Sequence, residues 1–349
     1  KSKIIINKNN ELLKIKRPKY FIDLPVEGHI ISVLWVLFIG RILDDRNNPD
    51  NMLMYEHSYG NRLKKTLINP KTNDITYSPY LFEPYFSQYE SWRDKALEVA
   101  KKNLNDNKDV IMISLDFKNF FYSVDINKDE YEKILCNYIG NYERWHKRIH
   151  DFIYIVLQEY SNKLRKLNTD QDLDIADKTF LPIGFYPSYI LANWVLTPFD
   201  KEVIKRCNPV YYGRYVDDII MVDKVEKNSP LREIISDSDE EDKLTTQKIV
   251  EYYFENCPAD RINPSTCKYK ALIAAKEGSS EADGRIYCVN KEMFNESNTD
   301  IKIQDEKFKV FYFHQDGHMA LLDNFLMHIA KNASEFRYLP DMDDILNKK

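Results

Sequence analysis

Three aspartates are set within short apolar runs that have the composition of buried strands. Asp116 lies near the end of residues 109–117 (DVIMISLDF), and Asp217 and Asp218 interrupt residues 210–222. An ionised carboxylate in apolar surroundings costs free energy unless it is paired or bound to a cation. Because neighbouring residues of a strand face opposite sides, Asp217 and Asp218 reach one region only if a tight turn lies at the pair. The pattern predicts a hairpin at these two aspartates, with Asp116 on a neighbouring strand.

Carboxylates that converge in this way suit divalent metal chemistry. Magnesium prefers oxygen ligands and keeps several waters, which leaves room for the phosphates of a substrate. Two such ions can activate an attacking hydroxyl and stabilise the leaving oxygen of a phosphoryl transfer. The predicted cofactors are therefore two Mg²⁺ ions, with Mn²⁺ as an alternative. In the other interpretation the aspartates end strands and pair with Arg214 and Lys118, which explains one of them more easily than all three.

The same residues resemble sequence motifs of the reverse transcriptase family. Residues 215–218 (YVDD) resemble its YxDD hairpin, and residues 116–121 (DFKNFF) resemble the segment with the first catalytic aspartate. Between them, residues 181–188 (LPIGFYPS), continuing to Ala192 and Asn193, are similar to the LPQGxxxSPxLAN segment. Further upstream, the segment SYGNRL (58–63) resembles a part of the fingers. The resemblance covers most of the chain.

The resemblance implies a role for each matching residue. The carboxylates of Asp116, Asp217 and Asp218 and the backbone carbonyl of Phe117 would hold the metal ions. Phe121 would exclude the 2′-hydroxyl of a ribonucleotide, unless it only packs beside Phe120. The other residues expected to bind the nucleotide or support its site are Arg62, Gly184, Ser188, Asn193, Tyr215 and Lys268, with Lys270 as a competitor of Lys268. Phe311, Tyr312 and Phe313 are a candidate primer grip, or ordinary core.

Two positions depart from the family pattern. Ile183 stands where the family usually has glutamine, and Tyr189 where it has proline. An isoleucine side chain cannot hydrogen-bond, which puts template-directed selection of the nucleotide in doubt. These departures, the SYGNRL segment, residues 334–337 (SEFR) and Leu339-Pro340 resemble the abortive-infection and defence-associated reverse transcriptases of bacteria.

Membership of that group implies a DNA nucleotidyltransferase that acts on dNTPs in antiphage defence. Some members work without a template and attach the DNA to their own tyrosine. An RNA-templated enzyme of the retron or group II type, using a dedicated RNA, is an alternative. A nucleic-acid-binding scaffold and another two-metal enzyme, such as a nucleotide cyclase or a primase-like transferase, also stay open. The expected partners are dNTPs, a DNA product and an RNA template or non-coding RNA, with a homo-oligomer left open and no membrane.

An α+β fold must position these residues, and the resemblance makes it the fingers and palm of a right-hand polymerase. The palm, residues 111–315, would hold an antiparallel sheet in the ferredoxin-like βαββαβ order, backed by helices. Helical fingers are expected from residues 1–110 and from an excursion at about residues 127–180. Residues 316–349 would begin a helical region in the thumb position. Because the chain starts at Lys1 and stops where relatives continue, we expect it to be part of a longer protein.

Apolar periodicity places the individual elements. It predicts helices over residues 89–105, 131–166, 245–254 and 319–331, and a helix from about residue 188 that bends or ends at Pro198. Residues 308–313 are predicted to form a strand, and residues 47–51 and 69–74 to form loops. The acidic run 237–242 is predicted to begin a solvated helix.

The composition excludes several other classes of protein. The net charge is −5, and the sequence contains no basic tail. Any contact with nucleic acid therefore needs a local basic groove. The five cysteines form no CxxC pair, which argues against a disulfide framework or a zinc site and fits a reducing cytoplasm. The resemblance to bacterial enzymes implies that this is a bacterial cytoplasm. His146 and His150 have a helical metal-binding spacing but no evident third ligand. The apolar run 30–39 is too short to span a membrane, and no signal peptide precedes it.

Overall fold

The computed structural model describes residues 19–44, 56–69, 74–167, 178–236, 242–255, 273–275, 286–290, 301–304, 308–315 and 322. The described helices are α1 (Val26–Trp35), α2 (Arg41–Leu43), α3 (Tyr85–Asn105), α4 (Phe120–Ser123), α5 (Lys128–Ile134), α6 (Arg144–Leu167), α7 (Tyr186–Cys207), α8 (Pro230–Ser236) and α9 (Asp242–Val250). Short π-helical turns follow α1, α5 and α9, at Val36–Gly40, Leu135–Ile139 and Glu251–Glu255. The described strands are β1 (Leu63–Asn69), β2 (Asp74–Phe82), β3 (Asp109–Asp116), β4 (Tyr211–Tyr215), β5 (Asp218–Val225), β6 (Ile273–Ala275), β7 (Ile286–Val289), β8 (Lys302–Gln304) and β9 (Lys309–Phe313).

Four of the described strands form the sheet that carries the aspartates. Their order across the sheet is β4-β5-β3-β9, and each neighbouring pair is antiparallel. Along the chain, helices separate β3 from β4 and β5 from β9, so the sheet has the strand order expected of a βαββαβ unit. Residues 110–113 of the inner strand β3 are fully buried, which explains why their sequence is an unbroken apolar run.

Helix α3 packs against β3, β4 and β5. Its buried side chains are those that the apolar spacing predicted: Trp92, Ala96, Leu97, Ala100 and Leu104. The helix begins at Tyr85, one turn before the predicted start, directly after Pro84. A long amphipathic helix was therefore identified correctly from the sequence, but its first turn was not.

Helix α7 runs from Tyr186 to Cys207 and does not end at Pro198. Proline lacks the N–H that would bond to the carbonyl four residues earlier, so it usually disrupts a helix. Here the neighbours Thr197 and Phe199 are buried, and tertiary packing stabilises the helix on both sides of the proline. Of the two predicted alternatives, an end at Pro198 is wrong, because the helix continues to Cys207, and a bend there stays a prediction.

The helix predicted over residues 131–166 is two helices. Helix α5 continues through a π-helical turn to Ile139, and α6 begins at Arg144. Gly140, between them, has a φ of 70°, which glycine adopts without the strain that a Cβ would cause. The break between α5 and α6 therefore lies at Gly140. The apolar spacing on both sides of Gly140 continues as in one helix, so it did not indicate the break.

The region expected to form helical fingers contains a β-hairpin. Strands β1 and β2 pair antiparallel, with Thr66 opposite Thr76. Of the predicted loop at residues 69–74, Asn69 and Asp74 are paired strand residues, and residues 70–73 lie outside the described residues. The description of the fingers as helical was therefore wrong for residues 63–82. A second unpredicted feature is the sheet β6-β7-β8. These strands are short or lack a clear alternation, so a period-two pattern does not reveal them.

The helical stretch Val26–Leu43 is long and apolar enough to span a membrane by length and composition, with a mean hydropathy of 1.7. The apolar run 30–39, judged too short for a span, is only the central part of this stretch. Core helices of folded domains pass the same test, and Trp35, Val36, Ile39 and Leu43 are fully buried. The stretch packs against α6 and α7, as a core helix does.

Several predicted features lie outside the described residues. They are the loop at residues 47–51, most of the acidic run 237–242, Lys268 and Lys270, the helix 319–331 apart from Leu322, and residues 334–340.

Candidate active site

The three aspartates lie at one end of the central sheet. Strand β3 ends at Asp116, whose register partner on β5 is Asp218. Asp217 occupies the turn that joins β4 to β5, and its backbone carbonyl accepts a hydrogen bond from Phe117 N at 3.4 Å. Each of the three residues is partly exposed. The hairpin turn predicted at the pair is therefore present, and it brings both aspartates beside the end of β3.

The three carboxylates are not arranged as a complete metal-coordination site. Across the described ranges, no group of three or more His, Cys, Asp or Glu is arranged so that it could hold a metal ion. The donor chemistry nevertheless fits magnesium, because all three side chains end in hard carboxylate oxygens. The sheet thus places three carboxylate side chains at one of its ends. Their oxygens would have to move closer together to hold a metal ion.

The hairpin turn has an unusual backbone. Val216 has a φ of 56°, a left-handed conformation that a β-branched residue rarely adopts. Its carbonyl accepts a hydrogen bond from Arg214 Nη1 at 2.8 Å. On the other side, a Cβ added to Gly60 would lie 2.7 Å from Val216 Cγ2, so the segment 58–63 needs glycine at its closest approach to the turn.

Arg214 is held by a buried carboxylate. Arg214 and Asp200 are both fully buried, and Nε and Nη2 of the guanidinium donate to the two carboxylate oxygens at 2.9 and 2.7 Å. The hydroxyl of Tyr212 donates to the same carboxylate at 2.6 Å. Burial alone would lower the pKa of Arg214, but the Asp200 carboxylate, with smaller effects from Tyr212 and Asp217, raises it above its usual value. The charged guanidinium is therefore fixed directly behind the turn.

Asn193 extends this network to the segment 58–63. Its Oδ1 accepts hydrogen bonds from Arg214 Nη1 and from Ser58 Oγ, both at 3.0 Å, and its Nδ2 donates to Gly60 O at 2.9 Å. Asn193 is 1% exposed and Ser188 is fully buried. Both residues, expected near the nucleotide, lie inside the protein, where Asn193 supports the turn from helix α7.

Tyr215 also faces the interior. It is 5% exposed, and its ring lies edge-on to Tyr85 and Tyr89 of α3, with centroids 5.3 and 5.4 Å apart. Trp92 packs at 6.0 Å. The tyrosine of the YVDD segment therefore anchors the hairpin to α3.

Phe121 and Gly184 lie on two segments that a backbone hydrogen bond joins. Phe121 is partly exposed on α4, which follows β3, and its carbonyl accepts a hydrogen bond from Leu181 N at 3.2 Å. Gly184 has a φ of 83°. A Cβ at Gly184 would lie 3.3 Å from Cδ1 of Phe21, a residue that the sequence analysis did not single out.

The two departures from the family pattern have structural partners. The carbonyl of Ile183 accepts a hydrogen bond from Ile22 N at 3.0 Å, so this position binds the N-terminal part of the described chain. The ring of Tyr189 lies edge-on to Phe82 of β2, with centroids 5.5 Å apart. Tyr189 therefore joins helix α7 to the hairpin β1-β2.

Arg62 does not reach toward the aspartates. It is 7% exposed and forms an ion pair with Asp44, with Nε 2.7 Å from a carboxylate oxygen. Its Nη1 donates to Ser58 O at 3.2 Å. The guanidinium thus joins α2 to the segment 58–63, and the contact of Arg62 with a nucleotide stays a prediction.

The primer-grip candidates lie in the core. Phe311 and Phe313 are buried on β9 opposite Met112 and Val110 of β3, several residues away from Asp116. Tyr312 donates a hydrogen bond to Asp109 at 2.7 Å, at the opposite end of the strand from the site. Of the two interpretations of these residues, ordinary core packing is the one that matches their positions.

The histidine pair on α6 is engaged within the protein. His150 is fully buried, its Nδ1 accepts a hydrogen bond from Trp35 Nε1 at 3.0 Å, and its Nε2 lies 2.8 Å from Tyr131 O. Burial lowers the pKa of His150 to about 4, despite the opposing hydrogen bond to Tyr131. Both ring nitrogens are occupied, so the suggested metal role for His146 and His150 is excluded.

The supporting pair Asp200–Arg214 was missed as a pair. Each residue carried a signal, because a charge within an apolar helix and a charge within an apolar strand both need a buried partner. The sequence suggested Arg214 only as a partner of Asp116, Asp217 or Asp218. Nothing in the spacing of the two residues indicates that α7 brings Asp200 behind β4.

Comparison with known proteins agrees with this geometry. Residues 54–246 match the family model described as reverse transcriptase (RNA-dependent DNA polymerase). The Retron Ec73 reverse transcriptase of Escherichia coli is 29% identical over 179 residues, which cover 48% of this chain and 52% of that protein. The chain thus matches about half the length of this curated relative. Because the family match covers more than half of the residues and includes the three aspartates, the chain belongs to the reverse transcriptase family.

Proposed function

We propose that the protein makes DNA by transferring deoxynucleotides from dNTPs to a hydroxyl group, with release of pyrophosphate. The observation that carries this proposal is the register of Asp116 with Asp218, with Asp217 in the adjoining turn. Membership of the reverse transcriptase family supports it. In this proposal residues 1–110 serve as fingers, residues 111–315 as palm with an excursion at about 127–180, and residues 316–349 begin the thumb position.

The chain's own residues would bind and orient the reactants. Asp116, Asp217, Asp218 and the carbonyl of Phe117 would hold two Mg²⁺ ions, or Mn²⁺. When bound, such ions lower the pKa of the attacking hydroxyl and neutralise charge on the phosphates. Arg214 holds the turn that carries Asp217, and preorganised charge of this kind is a major source of catalysis. Phe121 would select against ribonucleotides, and Gly184 would allow a base to approach the backbone.

The finer part of the proposal concerns the template and the primer. We propose synthesis that does not copy an added template, starting from a protein hydroxyl, in antiphage defence in the bacterial cytoplasm. Ile183 supports this because it cannot form the hydrogen bonds of a glutamine at that position. Its backbone is engaged with Ile22 and its side chain offers only apolar contact.

A second candidate is synthesis on a dedicated RNA. The similarity to the Retron Ec73 reverse transcriptase favours it. The two candidates share the site and differ in what directs the sequence of the product, so the product distinguishes them.

Incorporation of labelled dNTPs with Mg²⁺, with and without a primed template, tests the proposed reaction. Asp217→Asn keeps the shape of the side chain but removes the charge that balances a cation, so incorporation should fall on the order of 100-fold or more. Asp94→Asn makes the same change at a side chain that is 60% exposed on α3, and should incorporate like the wild type. Activity of Asp217→Asn within a few-fold of the wild type would contradict the site.

A further inference from the structure

Residues 19–25, here called the N-terminal segment, alternate between exposed and partly buried side chains. This is the pattern of an extended chain that lies on a surface. Tyr20 and Ile22 face inward and pack against a small cluster formed by Tyr160, Leu164 and Phe180. Phe21, between them, faces outward.

Hydrogen bonds hold the N-terminal segment on both sides of Phe21. Tyr20 N donates to the Tyr122 hydroxyl at 3.0 Å, and the Tyr160 hydroxyl donates to Tyr20 O at 2.8 Å. Ile22 N donates to Ile183 O at 3.0 Å, and residues 21 and 183 form a parallel bridge. The position of Phe21 is therefore defined by its neighbours rather than by its own packing.

Phe21 lies against Gly184, which is expected to bind the nucleotide. Its Cδ1 is the nearest heavy atom to the place that a Cβ on Gly184 would occupy, at 3.3 Å. The same stretch, residues 181–184, is hydrogen-bonded to the carbonyl of Phe121. Phe21 and Phe121 thus flank one short segment, from the N-terminal segment on one side and from α4 on the other.

The side chain of Phe21 is largely exposed, although hydrogen bonds fix the backbone on both sides of it. The side chain is 67% exposed, whereas its inward neighbours are partly buried. An exposed aromatic ring that packs closely against a glycine with no Cβ offers a flat apolar surface beside the backbone. Nucleobases have flat faces that stack on such rings, and stacking tolerates every base because each has a π-face.

We propose that Phe21 is the stacking surface for the base of the incoming deoxynucleoside triphosphate. This inference rests on the proposed function and adds a contact from outside the residues that match the family model, which begins at residue 54. Recognition by stacking fits the apolar side chain of Ile183, since neither residue reads the hydrogen-bonding edge of a base. Phe21 would therefore strengthen nucleotide binding without selecting among the four bases.

Steady-state incorporation tests this proposal. Phe21→Ala should raise KM for all four dNTPs by about 10-fold, close to 1.4 kcal/mol of binding free energy, and leave kcat within about 2-fold. Phe21→Tyr keeps an aromatic face and should retain the KM of the wild type. Ile155→Ala, which truncates a 55% exposed apolar side chain on α6, should change neither constant. An unchanged KM in Phe21→Ala, or a loss confined to kcat, would overturn the proposal.

A binding measurement separates this inference from the proposed reaction. In Phe21→Trp, a base that stacks on the indole should quench its fluorescence saturably as dNTP is added, and the wild type should show no such change. Absence of the saturable quench would overturn the inference even if the protein incorporates nucleotides. A saturable quench in a protein that incorporates nothing would support the contact and overturn the proposed function.

Discussion

At the scale of single residues, Val216 has a strained backbone conformation that neighbouring residues stabilise. A left-handed φ costs a β-branched residue of the order of 1–3 kcal/mol. The hydrogen bond from Arg214 and the close approach of Gly60 hold that conformation, and it is this turn that places Asp217 beside Asp116. The identity of the aspartates was evident from the sequence, whereas the strained residue between Tyr215 and Asp217 was not.

Phe121 provides a prediction at this scale. Its ring is partly exposed next to Phe120, with centroids 5.5 Å apart, so it has a free face as well as a packed one. Phe121→Val should remove the surface that a 2′-hydroxyl would strike. Discrimination against ribonucleotides should then fall by about 1–3 kcal/mol, which is roughly 5- to 150-fold in the ratio of kcat/KM values for dNTP and rNTP.

The matched control for Phe121→Val is Phe120→Val. Phe120 is 1% exposed, so its truncation should lower the free energy of unfolding without admitting ribonucleotides. If Phe121→Val keeps the selectivity of the wild type, Phe121 is a packing residue and ribonucleotides are excluded elsewhere.

At the scale of elements, the pair Asp200–Arg214 joins helix α7 to the hairpin β4-β5. Asp200→Asn would leave the guanidinium buried without its counter-charge, so the free energy of unfolding should fall by about 3–5 kcal/mol. Urea unfolding of the two proteins measures the difference. Arg214→Met in the same background should recover part of the loss, because it removes the uncompensated charge.

An exposed ion pair supplies the comparison for Asp200. Lys147 and Asp151 on α6 are joined at 3.0 Å, with side chains 53% and 44% exposed. Asp151→Asn should therefore change the free energy of unfolding by less than about 1 kcal/mol. If Asp151→Asn and Asp200→Asn lower the free energy of unfolding equally, burial of the Asp200–Arg214 pair does not increase the cost of breaking it.

His150 connects α1, α5 and α6 and should make the packing of these helices sensitive to acid. In the unfolded chain a histidine takes up a proton near pH 6.5, whereas burial keeps folded His150 neutral down to about pH 4. Between these values the unfolded state binds more protons, so the free energy of unfolding should decrease by up to about 3 kcal/mol as the pH falls. His150→Gln should lose this part of the pH dependence in urea unfolding between pH 7 and 4.5. An identical pH dependence in both proteins would contradict the assignment.

Among the elements, the sequence was most informative where a buried segment has one dominant pattern. Strand β3, helix α3 and the hairpin β4-β5 were predicted because their apolar residues are continuous or spaced for a helix. The hairpin β1-β2 was not, because Lys64 and Lys65 interrupt the alternation within β1. Pro198 was misleading because packing on both sides of α7 outweighs the local preference of proline.

At the scale of the whole molecule, contacts between residues far apart in the sequence fix the N-terminal segment in a position that local patterns cannot show. Tyr20 bonds to Tyr122 and Tyr160, which are 102 and 140 residues away, and Ile22 bonds to Ile183. The N-terminal segment thereby lies against residues 183 and 184, although it lies outside the part that matches the family model. No motif or periodicity in residues 19–25 points to this position.

The last prediction concerns the product that the whole protein makes. If synthesis starts from a protein hydroxyl and follows no added template, the DNA should have a biased sequence and stay bonded to protein. A tyrosine is a suitable primer, because its phenol can lose a proton beside a divalent cation much as a 3′-hydroxyl does. On a denaturing gel the labelled product should migrate freely only after digestion with protease. DNA that migrates freely before digestion would exclude protein priming. A product whose sequence follows a co-purified RNA would instead favour the RNA-templated candidate, in agreement with the similarity to the Retron Ec73 reverse transcriptase.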